Sequence, residues 1–194
     1  MPRVSRAETE RNRIAIEDAS SRLFREKGLR VSVADLMGAA GLTHGGFYGH
    51  FASKDELAAI ACANAFQESV GRWHKRMAGT QDRALARAGL IKGYLAPQNL
   101  ASVGSGCPIA ALAVDVAREA EDKPVRLAFL QGLEQLIALL ADEQPDADGA
   151  AAREAALGEI STMVGALVLA RATKGHVLSG EIMASARRRL LADD

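Results

Sequence analysis

The stretch VSVADLMGAAGLTHGGFYGHFASKDEL, residues 31–57, decides the fold. Ser32 offers a side-chain oxygen to cap a helix, and Asp35 stands three residues on, a variant of the capping box. The helix it opens runs to about Ala40 and buries Val33, Leu36 and Met37. Gly41 ends it, because a tight inter-helix turn often needs a positive φ. Thr43 is placed to cap a second short helix, through about Gly49. Ser53 caps again, with Glu56 at the third position, and a long helix follows to about Met77. Two short helices about a glycine turn read as a helix-turn-helix.

Working outward, a first helix is expected from about Glu8 to Lys27, with Ile14, Ala15, Ala19, Leu23 and Phe24 as its apolar face and Gly28 as its stop. Residues 1–52 then form a three-helix head, and residues 53–194 a helical body for effector binding and dimerisation. The body reads as helices over Asp82–Leu95, Pro108–Ala120, Pro124–Asp142, Ala150–Thr173 and Gly180–Leu191. The segments Ala101–Gly106 and Pro145–Gly149 read as loops. Ala and Leu are plentiful, aromatics make up 4%, and long Val/Ile/Thr alternation is missing, so the fold class is all-α.

Charge is zero overall but uneven. The first 54 residues hold nine Lys/Arg against six Asp/Glu, a surplus of +3, which leaves −3 for the remainder. A basic head on an acidic body fits phosphate contact by the head. Cys62 and Cys107 are too few for a disulfide framework or a zinc site. The N-terminus has no apolar run, and apolar stretches fall short of the ~18 residues a bilayer span needs. The expectation is a cytoplasmic protein with reduced thiols, no membrane, no metal and no cofactor. Paired carboxylates, phosphate loops and Ser-His-Asp arrangements are missing, which argues against an enzyme.

A reading helix presents small or polar side chains at its exposed first turn, where base edges are reached. Here that turn is Thr43-His44-Gly45-Gly46. Each glycine weakens a helix by about 1 kcal/mol relative to Ala, so either close approach of backbone to DNA or close helix packing must account for it. His44 can bond a base edge or a phosphate, or be a solvated surface residue. Phe47 and Phe51, four apart, share a face and pack against Leu23, Phe24 and Leu36. Tyr48 and His50 fall on other faces, within reach of phosphate oxygens. Lys54 opens the next helix, where free amides and the positive dipole end also favour a phosphate. Ser32 and Thr43 can act both as caps and as phosphate donors.

The run from Val31 to Leu57 resembles the signature of TetR-type transcriptional regulators: a tight helix-turn-helix, an aromatic pair with His50-Phe51, then Ser53-Lys54 and Glu56-Leu57. The resemblance implies a homodimer on double-stranded operator DNA, each subunit with a three-helix head and a divergent body holding a ligand pocket. It implies phosphate contacts by Ser32, Thr43, Tyr48, His50 and Lys54, and a reading turn of His44, Gly45 and Gly46. Many relatives carry a larger residue where Gly45, Gly46 or Gly49 stands, so fewer side chains remain here to read bases. It also implies a four-helix bundle across the dimer. The Ala150–Thr173 helix suits that bundle, with Leu157, Ile160, Val164, Leu167 and Val168 on one face and Ala156, Gly158, Gly165 and Ala166 on others. An ordinary core helix would read the same way.

Two features bear on what the body senses. Cys107, between a Gly-Ser-Gly loop and Pro108, is placed at a helix N-cap, where free amides and the positive helix end favour the thiolate. Lys174 and His176 are cationic candidates to fold near it, and a small buried residue is the competing reading of Cys107. Cys62 reads as core. Phe66, Trp73, His74, Tyr94, Phe129 and Met163 are candidates to line an apolar cavity, or else to pack. The reading is a DNA-binding regulator, a repressor released by a small-molecule or thiol-reactive effector. The alternatives are an activator, or a small helical enzyme or ligand-binding protein with a vestigial helix-turn-helix.

Overall fold

The computed structural model describes residues 6–145 and 148–192, and among these there is no strand. Helix α1 spans Arg6–Lys27 and buries Ile16, Ala19, Ser20, Leu23 and Phe24. That is the i, i+3, i+4, i+7, i+8 stripe of an amphipathic helix. Ile14 lies two residues, about 200°, round the helix from Ile16. It is 50% exposed, so it does not belong to the face expected of it.

Helix α2 spans Val33–Ala39. The Ser32 hydroxyl accepts the Asp35 amide at 3.1 Å and donates to the Asp35 carboxylate at 2.6 Å. Gly41 takes φ +73°, which an L side chain would resist, and so turns the chain. The segment that follows, His44–Gly49, is a 3₁₀ helix rather than the expected α-helix. Its six residues include three glycines, which give little support to α geometry. Thr43 occupies the cap position with no side-chain hydrogen bond.

Helix α3 spans Lys54–Met77 and is the spine of the molecule. Ser53 Oγ accepts the Glu56 amide at 3.0 Å, while the Glu56 carboxylate accepts the Ala52 amide at 2.6 Å. The body continues with α4 (Arg83–Tyr94), α5 (Gln98–Ala101), α6 (Pro108–Arg118), α7 (Pro124–Asp142), α8 (Gly149–Ala172) and α9 (Val177–Leu190). Helix α3 packs on α1 and on α7, and therefore belongs to head and body alike. Gly132 of α7 faces the Phe66 ring, where a Cβ would overlap it, so glycine sets how closely α7 approaches. One hydrophobic cluster runs from Phe24, Phe47 and Phe51 to Met163 and Met183.

Four further expectations shift. The loop before Cys107 begins only after the short α5, which ends at Ala101. Helix α9 starts at Val177, ahead of Gly180, because His176 Nδ1 accepts the Leu178 amide at 3.2 Å. In α8, Ile160 and Leu167 are buried, but Leu157 and Val168 are exposed, and the small residues Ala156 and Ala166 face the core instead. Apolar runs are short, yet α7 and α8 as whole helices are long and apolar enough to cross a membrane, with mean hydropathy of 1.3 and 1.4. They pack on each other, and α7 packs on α3. In the Pro145–Gly149 loop, residues 146 and 147 lie outside the described residues.

Candidate functional site

The 3₁₀ segment is held from beneath and open above. Phe47 and Phe51 are buried with ring centroids 5.7 Å apart. Arg13 of α1, not singled out from sequence, donates to the His50 carbonyl at 2.7 Å and lies over the Phe51 ring at 4.7 Å. Ser32, Thr43, His44, Gly45 and Gly46 are exposed, and Tyr48 is 73% exposed. His50 is half-buried, its Nδ1 shielded and without a hydrogen bond. Lys54 is half-buried in the first turn of α3.

The glycines of this segment are not there for space. A Cβ at Gly45 or Gly49 would meet nothing within 4 Å, and one at Gly46 only the Met37 methyl at 3.6 Å. Close packing, one of the two accounts of these glycines, therefore has no support at these positions. A bare backbone surface, open to approach from outside, is what they produce.

A second constellation lies in the body. A cavity of about 20 Å³ is lined by Trp73, Tyr94 and Cys107, and also by Ser69, Arg72, Arg76, Asn99, Gly106 and Leu167. Phe66, Phe129 and Met163 do not line it. Phe66, stacked edge-to-face on Phe129 at 5.4 Å, and Met163 are fully buried packing residues, whereas Phe129 lines a separate open groove with Val116, Leu127, Leu130 and Leu133. His74 is exposed.

Charge converges there. Gly106, immediately before Cys107, has a carbonyl that accepts from Arg25 Nη1 at 3.3 Å and from Arg72 Nη2 at 3.2 Å. Arg25 is a buried arginine of α1 and also pairs with Glu68 at 2.8 Å. Arg72 reaches the same Glu68 at 3.6 Å. Arg171 of α8 donates to the Asn99 carbonyl at 2.8 Å, and its Nε is buried without a partner. Partial burial lowers the pKa of Arg72, Arg76 and Arg171, opposed chiefly by Glu68 for Arg72, by Tyr94 for Arg76, and by neighbouring Cys107 and Tyr94 for Arg171. Tyr94 is buried and its hydroxyl has no hydrogen-bond partner. Burial, and then the Cys107 sulfur beside it, push that phenol well above the ordinary tyrosine range.

Cys107 stands at the N-cap position of α6 with no capping bond from its side chain, and is half-buried. Lys174 is exposed, and His176 is exposed and spent on its own helix cap. The cations placed near Cys107 are instead Arg72, which lines the same cavity, and Arg171, which donates to the Asn99 carbonyl on its wall. Cys62 is buried, and desolvation pushes its thiol up to about 12. None of the arginines carried a signal in the sequence, since each reads as a solvated helix face.

Residues 16–60 match the family model described as bacterial regulatory proteins, tetR family. No curated protein matches the chain. Among solved structures, a TetR-family regulator from Cytophaga hutchinsonii superposes with TM-score 0.78 at 21% identity, covering 99% of this chain and 98% of that one. A TetR regulator from Chloroflexus aurantiacus gives TM-score 0.77 at 23% identity, over 96% of this chain and 95% of that one. The reduced form of E. coli NemR gives 0.75 at 19% identity, over 92% and 95%.

Proposed function

We propose that the chain is a DNA-binding transcriptional regulator of the TetR family, a homodimeric cytoplasmic repressor which a small thiol-reactive effector releases from its operator. The single observation that carries the DNA-reading part is the exposed 3₁₀ segment His44–Gly49, anchored by buried Phe47 and Phe51 within the matched region. Its bare turn meets the edges of the bases in the major groove, and Ser32, Thr43, Tyr48, His50 and Lys54 grip phosphates on either side. The dimer forms through α8 and α9, whose outer faces leave Leu157, Val168, Leu169 and Leu178 exposed. A patch of that kind on paired long helices suits a bundle with a second copy.

Release follows from how α6 holds α1. Arg25 of α1 grips the Gly106 carbonyl at the start of α6, and the Leu29 amide just after α1 bonds Asp115 of α6 at 3.3 Å. A change at Cys107 therefore acts on the element that orients the head. One conformation matches the operator half-sites and the other does not, and an effector worth about 1–3 kcal/mol between them shifts affinity 5–150-fold. That a relative is distinguished as a reduced form is in keeping with a thiol as the trigger.

Two variants test this. Tyr48→Phe with Lys54→Ala should weaken binding to every DNA sequence and flatten the dependence of log K on log salt. An unchanged slope by fluorescence anisotropy refutes the phosphate contacts. Cys107→Ser should bind operator normally and no longer release it on treatment with an electrophile. A normal response in that variant makes Cys107 structural.

A further inference from the structure

Around Cys107 positive charge exceeds what the protein itself neutralises. Arg25, Arg72, Arg76 and Arg171 gather there, and Glu68 is the only carboxylate among the described residues that pairs with any of them. Arg76 has no ion pair among the described residues and lines the cavity. Into the same cavity faces Tyr94, 3% exposed, whose hydroxyl has no nitrogen or oxygen partner and only the Cys107 sulfur beside it. A buried hydroxyl without a good partner destabilises the fold, so its retention calls for a reason. Arg171 Nε, next to this wall, is a second buried donor without an acceptor. Burial disfavours the charged form of all three cavity-side arginines, a penalty that an incoming negative group would offset.

The size of the space narrows the ligand. At about 20 Å³ the cavity holds little more than one water-sized group. A carboxylate fits that description and a ring does not. Planar guanidinium forks and a phenol donor are the groups that recognise a carboxylate.

We propose that this cavity seats the carboxylate of a small anionic electrophile and so presents its reactive carbon to Cys107. The effector class is then a carboxylate-bearing alkylating compound of few heavy atoms, rather than a neutral or aromatic one. This rests on the reading of Cys107 as the reactive thiol. In the step, the Cys107 proton passes to solvent and the sulfur lone pair forms a bond to the electrophilic carbon. With an α-halo acid the carbon–halogen bond breaks and halide leaves with its electron pair. The added carboxylate stays on Arg72 and Arg76, whose neighbour Arg25 holds α1.

The test compares iodoacetate with iodoacetamide, reagents of the same size that differ by one charge. Second-order rates of Cys107 alkylation are measured on the full-length protein by peptide mass spectrometry, with glutathione as the free-thiol reference in the same buffer. The iodoacetate-to-iodoacetamide ratio should exceed that of glutathione by tenfold or more. It should fall back toward glutathione's in Arg76→Gln and in Tyr94→Phe, the ratio correcting for any change in the reactivity of the thiol itself. Arg76→Gln removes no hydrogen bond or ion pair recorded among the described residues, so it should fold. A wild-type ratio equal to glutathione's overturns the anion site while Cys107 remains a reactive thiol. A raised ratio that survives both substitutions overturns the assignment of the site to this cavity. If neither reagent modifies Cys107 in the folded protein, the anion site and the thiol reading fall together.

Discussion

The body holds two arginine clusters that answer the same physical problem in opposite ways. Arg87 of α4 meets Glu159 of α8 at 2.8 Å, both under a tenth exposed. Glu159 also accepts Gln144 Nε2 at 3.1 Å, and Arg87 donates to the Leu190 carbonyl at 2.9 Å. That network pairs opposite charges and ties α4, α8 and α9 together. Around Cys107, the guanidinium groups of Arg25, Arg72, Arg76 and Arg171 outnumber the one carboxylate among the described residues that pairs with them. A buried charge that finds its counter-ion inside the chain belongs to the architecture. One that does not is poised for a counter-ion from elsewhere.

The contrast is sharpest at Arg87. Its replacement by Met strands a buried carboxylate and should cost about 3–5 kcal/mol. Thermal denaturation should show this as a Tm lower by roughly 10 °C, at about 2–4 °C per kcal/mol for a chain of this size. A loss under about 1 kcal/mol would erase the distinction between the two clusters. Arg25→Met comes next. It gives up bonds from a charged donor to the Gly106 carbonyl and to Ser21, for about 2 kcal/mol. Its pair with Glu68, which is 43% exposed, adds little. This variant should bind operator with an affinity that no longer responds to alkylation of Cys107; an intact response means that α1 is not gripped through Arg25. Arg76→Gln should change stability by less than about 1 kcal/mol in either direction, because no internal partner is lost. A large loss by urea denaturation would place Arg76 with Arg87.

The two cysteines give the smallest and cleanest readout. Cys62, pushed up to about 12 by burial, stays a neutral thiol at working pH. At pH 8 it should remain unlabelled under conditions that label Cys107, and labelling should spread to it only on unfolding. Equal labelling of both cysteines in the native protein would show that burial does not protect it.

Legibility follows sequence distance. Ser32 with Asp35, Gly41, and Ser53 with Glu56 are local devices, each complete within a few residues, and the head could be read from them. Cys107 was legible for the same reason, lying between a glycine loop and Pro108. Its surroundings were not. Arg25, Arg72, Asn99 and Arg171 come from α1, α3, α5 and α8, and nothing local marks the face on which any of them meets the others. A place near the end of the long apolar helix favoured Lys174, while the fold turned Arg171, three residues earlier, toward the loop. Aromatic content could not separate Tyr94, which lines a cavity, from Phe66, which is fully buried against Phe129. The 3₁₀ form of His44–Gly49 was hidden by its caps, which look alike for either helix.

Arg25 and Arg13 stand on the same rigid helix, one tied to the Gly106 carbonyl and the other to the His50 carbonyl beside the reading turn. The twelve residues between them make a lever arm of about 18 Å at 1.5 Å per residue. A tilt of about 10° at the Arg25 fulcrum sweeps the Arg13 end through roughly 3 Å, close to the ~3.4 Å step from one base pair to the next. On the proposed release mechanism, an adduct of a few atoms at Cys107 needs no large motion of its own to throw the head out of register.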